Sequence, residues 1–202
     1  MRLGTRLAPG TIAPPDDQSG DGDLVRRAQE HPAAFAPLYL RYRDRVITYC
    51  RYRLGDDADA EDAASAIFVH ALHGLRTFHD GGDSFRSWLF RIAHNEVVDR
   101  HKQRARHPRA SLDEAVFIAD PARSPEERAV TADSVLRLRG LLASLPTRER
   151  EVLELRLADL TTAEISAVLG IGEQSIWTAQ SRALARVRSA MERQPGEVRS
   201  DG

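Results

Sequence analysis

The stretch that most limits what this chain can become runs from Thr161 to Arg188, TTAEISAVLGIGEQSIWTAQSRALARVR. Thr161 is a good helix cap, and Glu164 follows at the spacing of a capping box. Ile165, Val168 and Leu169 then share one helical face. Gly170 can take the left-handed conformation that ends a helix. Ile171 plugs the turn, and Gly172 starts a second helix carrying Ile176, Gln180, Ala183, Leu184 and Val187 at helical spacing. This is the layout of a helix-turn-helix, whose second helix can lie in a DNA major groove. A plain helical hairpin in an all-α core fits the same spacing.

Charge does not separate the two readings at the level of the whole chain. The 202 residues carry a formal net charge of −1, so the balance has to be read segment by segment. That length suits one large domain or two small ones, and a hydrophobic share of 42% is enough for a packed core. The single cysteine, Cys50, excludes an internal disulfide and a cysteine-based zinc site. No run approaches the roughly 20 apolar residues that span a membrane, and the N-terminus has no apolar run of the signal-peptide kind. The expected compartment is a reducing cytoplasm, without membrane insertion. No strand pattern and no long repeat is visible, so the expected fold class is all-α.

Residues 1–22 are rich in Pro, Gly and Asp and are expected to be a disordered tail. Asp23 is expected to open a short helix. The next helix, in which Pro32 suits the first turn, presents Phe35, Leu38, Tyr39, Tyr42, Val46 and Cys50 as an amphipathic stripe. Cys50 reads as a small buried hydrophobe on that stripe. After Gly55, the acids Asp59, Glu61 and Asp62 start a helix with negative charge at its positive dipole end. They serve equally as ordinary helix-start residues or as an acidic patch for a basic partner. Ser84 is an expected N-cap for the helix carrying Phe85, Trp88, Leu89, Ile92, Ala93 and Val97.

From Ser84 to Arg109 seven basic residues stand against Glu96 and Asp99. Arginines mixed with Phe85 and Trp88 suit single-stranded DNA, with charge for phosphates and rings for unstacked bases. A solvated basic face over a core tryptophan is the other reading. From Ala110 to Asp133 the balance reverses, with six acids against Arg123 and Arg128 and with Pro121 and Pro125 as breakers. This stretch reads as an acidic linker. Val135, Leu138, Leu141 and Leu142 then mark a further helix, and Thr147 is expected to cap another with Val152, Leu153 and Leu155 as its apolar set. The organisation is therefore a tail (1–22), a first helical domain (23–108), a linker (109–130), a second helical domain (131–192) and a frayed end (193–202).

Two blocks together resemble a known family. AFAPLYLRYRDRV, DADAEDAASAIFVHAL and FRSWLFRIAHNEVVDRHKQ form the first, and LLASLPTREREVLELRLADLTTAEISAVLGI with the helix after it forms the second. In this order they are similar to the bacterial sigma-70 family, specifically its short extracytoplasmic-function group, over roughly Asp23 to Met191. The resemblance implies a non-enzyme without cofactor or metal that binds RNA polymerase core, directs it to promoters and helps open the duplex. It implies a polymerase-docking set of Asp59, Glu61, Asp62, Ser65 and Phe68 on the clamp of the largest catalytic subunit. It implies a −10 set of Phe78, Phe85, Arg86, Trp88, Arg91, Asn95, Asp99 and Arg100, which would melt DNA and hold an extruded base. Within a helix-turn-helix at 162–188 it implies a −35 set of Glu173, Gln174, Ser175, Trp177, Thr178, Ser181 and Arg182. The implied partners are promoter DNA, the clamp, the flap of the second-largest subunit and an anti-sigma factor.

The chain departs from the family pattern at Ser65, where glutamine is usual, and at Leu72, where tryptophan is frequent. It departs more at Trp177 and Ala179, which replace two basic positions of the recognition helix and so remove two phosphate-reaching cations. Two rival readings stand beside this one. One is a stand-alone helix-turn-helix regulator with residues 23–109 as a sensor or dimerisation domain. The other is a metal-dependent helical enzyme using His70, His73, His79, His94, His101 and His107, although no Glu-x-x-His motif repeats as a di-metal bundle needs. With its two domains on a flexible linker, the free sigma factor is expected to close on itself or to be held closed by its anti-sigma partner.

Overall fold

The computed structural model describes residues 20–79, 84–106 and 136–193. These residues form helices and connecting turns, with no strand among them. The helices are α1 (Asp21–Glu30), α2 (Ala36–Leu54), α3 (Asp57–Gly74), α4 (Phe85–Arg106), α5 (136–143), α6 (Thr147–Leu157), α7 (Thr162–Leu169) and α8 (Glu173–Glu192). Short 3-10 turns occupy Pro32–Phe35 and Leu75–Thr77. The expected linker at 109–130 and the ends at 1–19 and 194–202 lie outside the described residues.

Local chemistry sets the helix boundaries. Gly55 ends α2 at φ 81°, in the left-handed region where a side chain would be strained. Asp56 caps α3 by accepting from the Asp59 N–H at 2.8 Å, so α3 starts ahead of the acids expected to open it. α1 likewise starts at Asp21 rather than Asp23, because the Asp21 carboxylate turns inward to accept from the Tyr42 hydroxyl and the Arg41 guanidinium. Ser84 caps α4, its Oγ accepting from the Ser87 N–H at 3.1 Å. Thr147 does not cap α6. Pro146 holds that position, and Thr147 is the first helical residue, without a side-chain cap bond.

α2, α3 and α4 pack on one another around Leu38, Val46, Cys50, Ile67, Leu89, Phe90 and Val97. Cys50 lies fully inside this core, where burial pushes its thiol up to about 12, so it packs as an apolar group. The apolar cluster does not stop at this bundle. It runs on through Val152, Leu155, Leu160, Ile165, Val168 and Ile176 of the second helical unit. α7 lies against α4, and α6 lies against α2. A smaller cluster, Leu142, Leu145, Leu153 and Ala183, ties α5 and α6 to α8.

Candidate nucleic-acid interface

The helix-turn-helix is built as its sequence dictates. The Thr161 side chain accepts from the Glu164 N–H, and the Glu164 carboxylate accepts from the Thr161 N–H, giving a complete capping box. Gly170 closes α7 at φ 64°. Ser166 Oγ donates to the Ile171 carbonyl at 2.6 Å and fixes the turn. α8 buries Ile176, Ala179 and Ala183. Glu173, Gln174, Ser175, Trp177, Thr178, Ser181 and Arg182 are all exposed on it, so the whole −35 set shares one accessible helix.

Ala179 faces the core, so its small size is a packing fit in this structure. Trp177 is 51% exposed and sits under the Arg156 guanidinium, 5.9 Å from it to the ring centroid. Arg156 was not singled out from sequence, yet it is a junction. It donates to Gln180 Oε1 and the Leu160 carbonyl, each at 2.9 Å, and to Thr162 Oγ1, joining α6, α7 and α8. Leu184, expected on the apolar stripe, is 46% exposed instead, because α5 and α6 cover the flank bearing Ala183 and leave Leu184 at its edge.

The −10 set divides by depth. Phe78, Phe85 and Trp88 form an aromatic cluster with centroids 5.0 to 6.0 Å apart. Both phenylalanines are buried and Trp88 is half-buried. Two main-chain contacts hold the cluster in place. Gln29 Nε2 donates to the Leu75 and Phe78 carbonyls at 3.0 and 2.8 Å. Trp88 also approaches Gly74 so closely that a Cβ there would lie 3.2 Å from its ring. Asn95 and Asp99 are exposed, and Asp99 pairs with Lys102 at 2.9 Å. Arg91 is half-buried. Arg100 pairs with Glu96 at 2.7 Å and donates to the Asp59 carbonyl.

Arg86 is the exception on this face, being only 2% exposed. Its Nε and Nη2 donate to the two oxygens of Glu164 at 2.8 and 2.6 Å. Ser84 Oγ adds a third bond to Glu164 Oε1 at 2.9 Å. Burial pushes the Glu164 carboxyl up, but the bonds from Arg86, the Thr161 N–H and Ser84 outweigh it and leave the group below its ordinary value. A second pair crosses between the helical units where Arg53 Nη1 donates to Glu154 Oε2 at 2.8 Å. Sequence reading gave Glu164 only its capping role and did not single out Glu154.

The residues of the expected docking set all lie on α3. Asp62 and Ser65 are exposed, Asp59 pairs with Arg104, and Glu61 lies 3.7 Å from Arg51. Phe68 is buried, edge-on to Tyr39 at 4.8 Å. Leu40 of α2 and Val69 of α3 are exposed. Among the described residues no group of three or more His, Cys, Asp or Glu is placed to hold a metal. No helix there is long and apolar enough to cross a membrane.

An exposed helix-turn-helix on one helical unit, packed on a second unit that carries the aromatic cluster, defines a two-part helical protein. The chain belongs to the sigma-70 family: the model of sigma-70 region 2 matches residues 38–107 and that of sigma-70 region 4 matches residues 136–187. The chain is 35% identical over 187 residues to the ECF RNA polymerase sigma factor ShbA of Streptomyces griseus subsp. griseus, covering 88% of this chain and 98% of that one. It is 30% identical over 173 residues to ECF RNA polymerase sigma factor SigW of Bacillus subtilis, covering 80% and 88%. The fold is also that of CnrH in complex with the cytosolic domain of CnrY, at a TM-score of 0.68 and 24% identity over 87% of this chain and 99% of that one. The two family regions in this order favour a sigma factor over a stand-alone regulator.

Proposed function

We propose that the chain is an extracytoplasmic-function sigma factor that binds RNA polymerase core, directs it to its own promoters and promotes transcription initiation. It works in the cytoplasm as a binding factor rather than an enzyme. The observation that carries this reading is that the two helical units match regions 2 and 4 in order.

Asp59, Glu61, Asp62, Ser65 and Phe68 of α3 dock on the clamp of the largest catalytic subunit, where the exposed acids meet basic groups and Leu40 and Val69 extend an apolar contact. Arg91 and Arg100 hold phosphates of the −10 strand, Arg86 joins them once it is released from Glu164, and Trp88, backed by the buried Phe78 and Phe85, forms the wall against which an unstacked base is held. Asn95 and Asp99 add polar contacts on the same helix. α8 enters the major groove of the −35 element with Gln174, Ser175, Thr178, Ser181 and Arg182, while Trp177 offers an apolar surface where thymine methyl groups are the matching feature. Region 4 also meets the flap of the second-largest subunit, and an anti-sigma factor controls release.

Transcription from genomic fragments by purified core tests the reading. Start sites that appear only when the chain is added are the expected result. Asp62→Arg should abolish core association while leaving the helical circular dichroism spectrum intact. Core binding and transcription without any change in start sites would refute promoter selection.

A further inference from the structure

The guanidinium assigned to the −10 strand is already occupied by a carboxylate of the second helical unit. Arg86 and Glu164 meet fork to fork, the two-bond geometry with which arginine also grips a phosphate. Glu164 is supplied with donors as a bound anion would be. Ser84 Oγ reaches Oε1, while the Thr161 N–H and Oγ reach Oε2, each at 2.9 Å. The pair is sealed, with side-chain exposures of 2% and 8%. Arg86 lies on α4 between Phe85 and Trp88, which are assigned to the same strand, and α7 packs on that helix.

We propose that Glu164 is an internal phosphate mimic, and that α7 and the single-stranded −10 DNA compete for Arg86. In the closed chain α7 covers the arginine. In the open chain Arg86 is free for the strand and α7 is free to support α8 on the −35 duplex. Opening does not strand a charge, because both partners return to water and regain the hydration they lost on burial. The closed state is therefore a poised one, which a partner binding only the open form can shift. RNA polymerase core is such a partner where it separates the two units. The competition rests on the −10 assignment made above, whereas the closure itself does not.

The test uses the full-length chain and two single substitutions. Glu164→Gln keeps a reach-back oxygen at the capping-box position, so α7 should still form. It removes the negative charge that holds Arg86. Arg86→Ala breaks the same pair from the other side and deletes the DNA-binding cation as well. Circular dichroism confirms that both remain helical, and small-angle scattering reads the separation of the two units. The strand probe is a fluorescent non-template oligonucleotide from a promoter mapped with the wild-type chain, read by polarisation without core.

Both variants should show a larger radius of gyration than wild type. Only Glu164→Gln should bind the oligonucleotide more tightly, by about tenfold, the equivalent of one charged hydrogen-bonded pair. Unchanged dimensions in both variants would overturn the latch. Expansion without gain of strand binding by Glu164→Gln, or an equal gain by Arg86→Ala, would overturn the competition. Absence of any core-dependent start site would instead refute the sigma-factor reading and leave the scattering result standing on its own.

Discussion

Two arginine–glutamate pairs cross between the helical units, and they are built differently. Arg53 makes one hydrogen bond to Glu154, and its own Nε is buried without an acceptor. The next cation, Arg150, stands 3.9 Å from the other carboxylate oxygen. Burial dominates there and pushes the Glu154 carboxyl above its ordinary value despite Arg53. Arg86 makes two bonds to Glu164, and Ser84 and Thr161 add more. Burial is the largest single influence on Glu164 too, yet the donors together reverse it. Two buried pairs of the same chemistry thus move their carboxyls in opposite directions, and the number of donors decides which.

Truncation should show the contrast most strongly. Glu154→Ala leaves Arg53 buried and uncompensated, which costs the closed form about 3–5 kcal/mol, and the chain should open, as scattering would read. Replacing both partners, as Arg53→Met with Glu154→Leu, should leave the closed form unchanged or up to about 4 kcal/mol more stable in a urea titration. The matching exchange of Arg86 and Glu164 for apolar residues should be destabilising instead. It also removes the capping box, worth about 1 kcal/mol, and leaves Ser84 and the Thr161 N–H without their carboxylate.

Acid should weaken the closed form at the Arg53 end through histidine. His94 faces Tyr49 and Arg53 of α2, with Tyr49 Oη 3.3 Å from its Nδ1, and Arg148 and Glu151 of α6. His101 faces Arg53 and Arg150. Burial lowers both from the ordinary 6.5. Closure therefore disfavours their protonation, while an opened chain takes up protons below about 6.5. The closed form should lose stability as pH falls from 7.5 to 5.5, with the radius of gyration rising. His94→Gln with His101→Gln should flatten that response.

The smallest effect belongs to a pair with little burial. Trp177→Ala removes the contact with Arg156 and should cost about 0.5–1 kcal/mol of thermal stability. Its effect on duplex −35 binding should exceed its effect on folding, and replacing thymine by deoxyuridine in the probe would show whether methyl groups are what it touches.

What was legible in the sequence was local. The capping box of Thr161 and Glu164, the Gly170 turn, the Ser84 cap and the burial of Cys50 depend on neighbours within a helical turn or one apolar stripe. Thr147 misled because Pro146 fixes the helix entry without a side-chain cap. Leu184 misled because period alone does not say where a covering helix ends. The cross-unit pairs were beyond sequence reading. Arg53 and Glu154 stand 101 positions apart, and Arg86 and Glu164 stand 78 apart, with no periodicity linking them. An arginine that reads as a phosphate ligand looks the same in sequence whether its anion is DNA or the chain itself.

The double role of Glu164 has a consequence for genetics. The same side chain begins α7 and holds Arg86, so most changes at this codon damage the reading head while releasing it. Among the residues reachable from a glutamate codon by one base change, glutamine keeps an uncharged oxygen at the same reach. A selection for alleles active without their inducing signal should therefore return glutamine at position 164, and rarely another residue there.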